Sequence, residues 1–411
     1  MVADGVPMRR LLAVLLATAA LLLLGAAPAS ADSIRDREYW LSDYGIRSAW
    51  NVTKGAGQVI AIIDTGVDSS HPDLAGAVIG GADFSGHGAA NGQRPVSGNH
   101  ATMVASLAAG RGHGSAGILG AAPAASILSI SIGFEDDSDQ MVADAVRWAV
   151  DNGAGVINLS FTRNTLDWPT SWDDAFLYAE QHEVVIVAAA GNRGSGTTVV
   201  GAPATMPGVL TVAGLDRNGN ASADASAQGI TLGVSAPSEK LVGAVPGGGY
   251  VLWDGTSGAS PIVAGVAALV KAAHPGISAA DVINRIIRTA TPAGADGPDP
   301  IYGYGKLDAA AAVSAEVASV TENPLGSLAD WIRLYRRADA PAVPAPTGAA
   351  APLPVGVPIE APTDPVVALL PSVATLRDVG IPLLLYAGFG LALVVVLVGA
   401  VRHFRGVRRR E

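Results

Sequence analysis

Val59-Ile60-Ala61-Ile62-Ile63 runs without a break into Asp64-Thr65-Gly66-Val67-Asp68. Such an apolar run reads as a buried strand, and it leaves a carboxylate at the strand's carboxyl end, where open α/β sheets build their sites. Outward from it the theme repeats. Further strands are predicted over residues 127–132, 155–159, 184–188, 209–213 and 230–234. Helices are predicted over 103–109, 141–152, 170–181, 262–273 and 279–289, the last opened by a capping box from Ser278 to Asp281. Strands alternating with helices place the chain in the α/β class, with a mostly parallel central sheet and helices on both faces.

Two more stretches bear on that carboxylate. Asn99-His100-Ala101-Thr102-Met103-Val104-Ala105 puts a histidine at the head of a helical run of small residues, and Gly255-Thr256-Ser257-Gly258-Ala259-Ser260-Pro261 puts a serine just ahead of another. Small neighbours leave the Ser257 hydroxyl open to an approaching substrate backbone. Pro261 suits the first turn of its helix, where a missing N–H costs nothing, and Gly276 its stop. Each stretch alone reads equally as a turn, a cap or a solvated histidine. Together Asp64, His100 and Ser257 follow the order Asp, His, Ser that distinguishes subtilisins. An α/β-hydrolase would need the serine first and a Gly-x-Ser-x-Gly elbow, whose fifth position here is Ala259.

Around these stand His71-Pro72-Asp73-Leu74, Gly120-Ala121-Ala122-Pro123, Val156-Ile157-Asn158-Leu159-Ser160, Ala189-Ala190-Gly191-Asn192 and Gly303-Tyr304-Gly305-Lys306-Leu307-Asp308-Ala309. The blocks, in this order over residues 55–315, resemble the subtilisin-like serine proteases (subtilases). The resemblance implies a serine endopeptidase working through an acyl-enzyme. Ser257 would be the nucleophile, His100 its base and later the acid for the leaving amine, and Asp64 the group that fixes the imidazole tautomer. The Asn192 amide and the Ser257 N–H would supply the oxyanion hole. Ser160, Phe161, Thr162 and Arg163 on one side, and Ala189, Ala190 and Gly191 on the other, are implied to flank the substrate and wall the pocket for the side chain before the scissile bond. Thr162 and Arg163 replace glycines usual in subtilases and are expected to narrow that pocket. Ala101, also in place of a glycine, is expected to add a methyl beside the cleft, and Gly258 replaces a common methionine. His71 reads as a turn residue, while His87, His113, His182, His274 and His403 have no carboxylate partner visible in the sequence.

No cofactor is expected. Glu135-Asp136-Asp137-Ser138-Asp139 clusters oxygens but lacks the glycine and distal glutamate of an EF-hand loop, so it reads as a solvated acidic loop and no metal is assigned.

The chain has 411 residues, 49% of them apolar, enough to bury a large core, and no cysteine. Residues 1–31 carry Arg9 and Arg10, an apolar run and Ala29-Ser30-Ala31, the pattern of a secretory signal peptide. Residues 32–54 are expected to pack as an N-terminal extension on a peptidase domain over 55–315. An amphipathic helical segment follows over 316–340, with Leu328, Trp331, Ile332 and Tyr335 on one face. A Pro/Ala-rich spacer takes 341–378, a transmembrane helix 379–401, and a basic cytoplasmic tail 402–411. The tail arginines place the C-terminus inside and the catalytic domain outside the cell membrane, as a single-pass protein. Between leader and span, 19 basic residues face 34 acidic ones. That balance argues against nucleic-acid binding, which needs a basic footprint, and for protein or peptide substrates. The layout resembles the mycosins, which implies type VII secretion membrane components as partners, although the missing cysteines depart from that pattern. Two other classes stay open: a secretion-complex scaffold whose catalysis is dispensable, and an inactive fold that binds peptides.

Overall fold

The computed structural model describes residues 34–134 and 138–336. The readings of a leader, of residues 135–137, and of the spacer, span and basic tail lie outside the described residues.

In chain order the strands are β1 (Val59–Asp64), β2 (Val78–Asp83), β3 (Arg111–His113), β4 (Ala116–Leu119), β5 (Ser126–Ser131), β6 (Val156–Leu159), β7 (Val185–Ala189), β8 (Leu210–Leu215), β9 (Leu232–Pro237), β10 (Leu241–Val245) and β11 (Gly249–Trp253). The α-helices are α1 (Trp40–Asp43), α2 (Ile46–Ala49), α3 (His100–Ala109), α4 (Ser138–Asp151), α5 (Thr170–Gln181), α6 (Thr256–Ala273), α7 (Ala279–Arg288), α8 (Ala309–Ser314) and α9 (Leu328–Tyr335). Seven strands form one sheet in the order β2-β5-β1-β6-β7-β8-β9, every pair parallel. The chain first moves from β1 toward β2 and β5, then returns past β1 to β6 and onward. The crevice at the carboxyl ends of β1 and β6 is thus the point where strand order reverses.

Period-two alternation sorts β1 between two cores. Ile60 and Ile62 join α3, α6, α7 and α8 on one face, while Ala61 and Ile63 join α4 and α5 on the other. Each fully buried isoleucine contributes roughly 1.5–3 kcal/mol. Helix α6 is long and apolar enough to cross a membrane, but it is a core helix. Trp40, Leu41 and Ile46 of the N-terminal segment are fully buried in the same core, and the Ala309 N–H donates to the Tyr44 carbonyl at 3.0 Å. On the other face Ser327 caps α9, Leu328 is buried, and Trp331 packs on Trp168 with ring centroids 4.3 Å apart. Tyr335, expected on the apolar face of that helix, is 65% exposed.

Two expectations need correction, and β2 is a strand beyond those predicted from the sequence. β2 reads poorly as a strand because Gly80 and Gly81 interrupt it; a Cβ at Gly81 would stand 2.0 Å from the Ser129 carbonyl oxygen, so the approach of β5 requires the glycine. Ile230, placed in a strand, is 90% exposed, and the strand begins at Leu232. Helix α6 begins at Thr256, so Pro261 sits in its second turn instead of its first.

Candidate active site

Asp64 ends β1 at the order reversal and is 1% exposed. Its Oδ1 accepts from the Thr65 N–H at 2.7 Å, and its Oδ2 lies 2.8 Å from His100 Nδ1. With an ionised carboxylate there, Nδ1 carries the proton and Nε2 is left as the acceptor. His100 opens α3 and keeps 38% of its side chain exposed. Burial lowers the imidazole pKa, but the charge and hydrogen bond of Asp64 outweigh it and hold the group above its ordinary 6.5. The edge of Trp253, 5.9 Å between ring centroids, borders the imidazole.

Ser257 is the second residue of α6, so its N–H is among the first four of the helix, which have no intrahelical acceptor. Its hydroxyl donates to the Ser160 carbonyl at 2.9 Å. Pro261 has no N–H to give the Ser257 carbonyl four residues back, and the Ser160 hydroxyl donates there instead at 2.9 Å. The proline in the second turn thus explains a contact between α6 and the segment leaving β6. Gly258 also has a packing reason: a Cβ there would stand 2.3 Å from Leu241 Cδ1. Ala101 is fully buried in the core, so its methyl does not line the cleft.

Asn192 follows β7, and Thr256 fixes its orientation. Both the N–H and the hydroxyl of Thr256 donate to Asn192 Oδ1, at 2.8 and 2.9 Å. An oxygen that accepts two donors leaves Nδ2 as the outward donor. Gly255, at φ +148°, lets the chain pass this amide, since a Cβ there would stand 3.2 Å from Nδ2. Thr256 carries no signal of this in the sequence beyond adjacency to Ser257.

Because β6 and β7 are parallel neighbours, the segments leaving them form two sides of a crevice beside Ser257. Ser160 is buried on one side; Phe161 meets Phe134 edge-on at 5.4 Å. Thr162 approaches Gly191 across the crevice. Arg163 does not: its guanidinium pairs with Asp139 and lies 5.7 Å from the Trp172 ring centroid, in a neighbouring groove of about 850 Å³. That corrects its expected place in the pocket. Ala189 and Ala190 are buried, and the Gly191 N–H donates to Thr256 Oγ1 at 3.0 Å.

Away from the crevice, His71 is buried and caps the turn at residues 72–74 through its Nδ1. His113 does have a carboxylate partner, Asp73 Oδ1 at 2.6 Å. The pair is formed by a tertiary contact between β3 and that turn, which spacing alone does not disclose.

A parallel α/β sheet with an Asp–His pair, a helix-borne serine and an oriented asparagine at its switch point has the form of a subtilisin-like hydrolase. The chain belongs to the subtilase family, whose profile matches residues 55–305. It is 39% identical over 270 residues to the thermophilic serine proteinase of Bacillus sp. (strain AK1), covering 65% of this chain and 64% of that one. Among solved structures it is similar to fervidolysin from Fervidobacterium pennivorans, a keratinolytic enzyme related to subtilisin (TM-score 0.64, 29% identity, 72% of this chain and 48% of that one). It is also similar to MycP1 from the ESX-1 type VII secretion system (TM-score 0.59, 31% identity, 70% and 88%). The chain therefore spans just under two thirds of the first of these relatives and about half of the second.

Proposed function

We propose that this chain is a serine endopeptidase acting on protein or peptide substrates, anchored in the cell membrane by a C-terminal span with its catalytic domain outside, and serving type VII secretion. The observation that carries the catalytic part is the Asp64–His100 pair at 2.8 Å together with the Asn192 amide, whose oxygen is held by Thr256, the residue before Ser257, so that its Nδ2 is left free to donate. Ser257 Oγ attacks the peptide carbonyl carbon while its proton passes to His100 Nε2, and Asp64 stabilises the imidazolium without taking the proton. The oxyanion lies against Asn192 Nδ2 and the Ser257 N–H. The C–N bond then breaks, the amine leaves with the proton from His100, and water repeats the sequence on the ester to release the acid and restore Ser257. Retention of all four groups favours this reading over an inactive peptide-binding fold.

The secretion role is supported by the likeness to MycP1, and the anchor by the uncharged run Ile381 to Val401 followed by five arginines. A fluorophosphonate probe should label the full-length protein stoichiometrically. Ser257→Ala should abolish labelling and, on the magnitude known for subtilisin, lower kcat by about 10⁶. Labelling that survives in the mutant would remove Ser257 from its role.

A further inference from the structure

We infer that the residue before the scissile bond must be alanine or glycine, because Thr162 and Thr197 close the pocket that would receive its side chain. The inference rests on the peptidase reading and adds a substrate class to it. The likeness to subtilases implies that a carbonyl attacked by Ser257 with its oxygen toward Asn192 puts the side chain of its own residue into the crevice between the segments leaving the parallel neighbours β6 and β7. At Gly191, φ +98°, an added Cβ would stand 2.4 Å from Thr197 Cγ2 and 3.1 Å from Thr162 Cγ2. Both threonine methyls therefore pack close to the Gly191 α-carbon, one of them from the opposite wall. Thr197 is buried and held in place: its hydroxyl donates to Asn164 Oδ1 at 2.9 Å and its N–H to the Asn192 carbonyl at 3.0 Å.

Beneath them the crevice is sewn shut by main chain. The Arg163 N–H donates to the Ala202 carbonyl at 2.7 Å, and the Ala202 N–H to the Thr165 carbonyl at 2.9 Å. A Cβ at Gly201 would stand 1.7 Å from the Arg163 carbonyl oxygen. Main chain against main chain cannot be opened by a side-chain rotation. A crevice whose walls already meet at Thr162 and Gly191 and whose floor is main chain excludes an oversized group sterically. Arg163 contributes through its backbone alone.

The test is kcat/KM of the full-length protein on four peptides that differ only at this position, as Gly, Ala, Leu or Phe. Ala or Gly should exceed Leu and Phe by about 100-fold or more. Thr162→Ser removes the methyl near Gly191 but keeps the hydroxyl that donates to the Arg163 carbonyl at 3.0 Å. It should raise the Leu peptide about tenfold relative to Ala, more so with Thr197→Ser added, while Arg163→Ala leaves the ranking unchanged. Equal or better cleavage after Leu or Phe overturns the inference alone, as does a ranking that moves with Arg163→Ala and not with Thr162→Ser. Failure to cleave any of the four, with no fluorophosphonate labelling, overturns the peptidase reading and this inference together.

Discussion

Thr256 directs both of its donors, the N–H and the hydroxyl, at the same oxygen of Asn192. The residue before the proposed nucleophile thus holds the Asn192 amide in register with it. Thr256→Val keeps the shape, removes one of these bonds and strands the Gly191 N–H. We expect kcat to fall about tenfold with KM nearly unchanged, since the oxyanion donor acts in the transition state, and unfolding free energy to fall by about 1–3 kcal/mol. Thr256→Ser should restore both. An unchanged kcat in the valine variant would mean Asn192 is held by other means.

On the proposed mechanism, the Asp64–His100 pair sets the acidic limb of the activity profile. A base must be unprotonated, so hydrolysis should rise with pH through a midpoint above 6.5, the direction in which Asp64 moves the imidazole against its burial. In Asp64→Asn only burial remains, so the midpoint should drop below that of the parent while kcat falls about 10⁴-fold. A midpoint that stays put would show that Asp64 does not control the histidine.

Glu38 makes a prediction about stability. It is 2% exposed, its Oε2 accepts no hydrogen bond, and Arg35 Nε stands 3.9 Å off. Burial pushes its carboxyl up to about 8, against the hydrogen bond from Leu119 and the charges of Arg35 and Arg47. With the folded pKa above the unfolded one, its contribution is fully present below pH 4.5 and is lost as pH rises through about 8. Glu38→Gln should therefore have a Tm that declines less between pH 5 and pH 9 than the parent. Parallel Tm curves would count against it.

For topology, protease added outside intact cells should cut the segment from Pro341 to Pro371 and release the folded domain, while a tag after Glu411 stays protected. Digestion of that tag from outside would reverse the orientation.

The sheet was legible because burial on both faces leaves uninterrupted apolar runs such as Val59 to Ile63. It was illegible at β2, where close approach to β5 demands glycine, and at the start of α6, where Thr256 to Ser260 show no apolar periodicity and Pro261 suggests a later start. Asp64, His100, Ser257 and Asn192 could be singled out by order and context. Thr256 and Thr197 could not, because their roles exist only once distant segments meet. Arg163 was misplaced for the same reason: Asp139 and Trp172, which draw its side chain aside, lie on α4 and α5.

The packing of the Ile46–Ala49 helix, and of Tyr44 and Gly45 ahead of it, against α8 has a consequence in time. These residues find their place only when the Ala309 region exists to close over them. At about 5–20 residues per second, a chain emerging N-terminus first leaves them without a partner for roughly 10–50 s. The earliest part of the domain to be synthesised is thus among the last to be satisfied, and a chain that stops short of residue 309 leaves the Ile46–Ala49 helix without the partner it packs on.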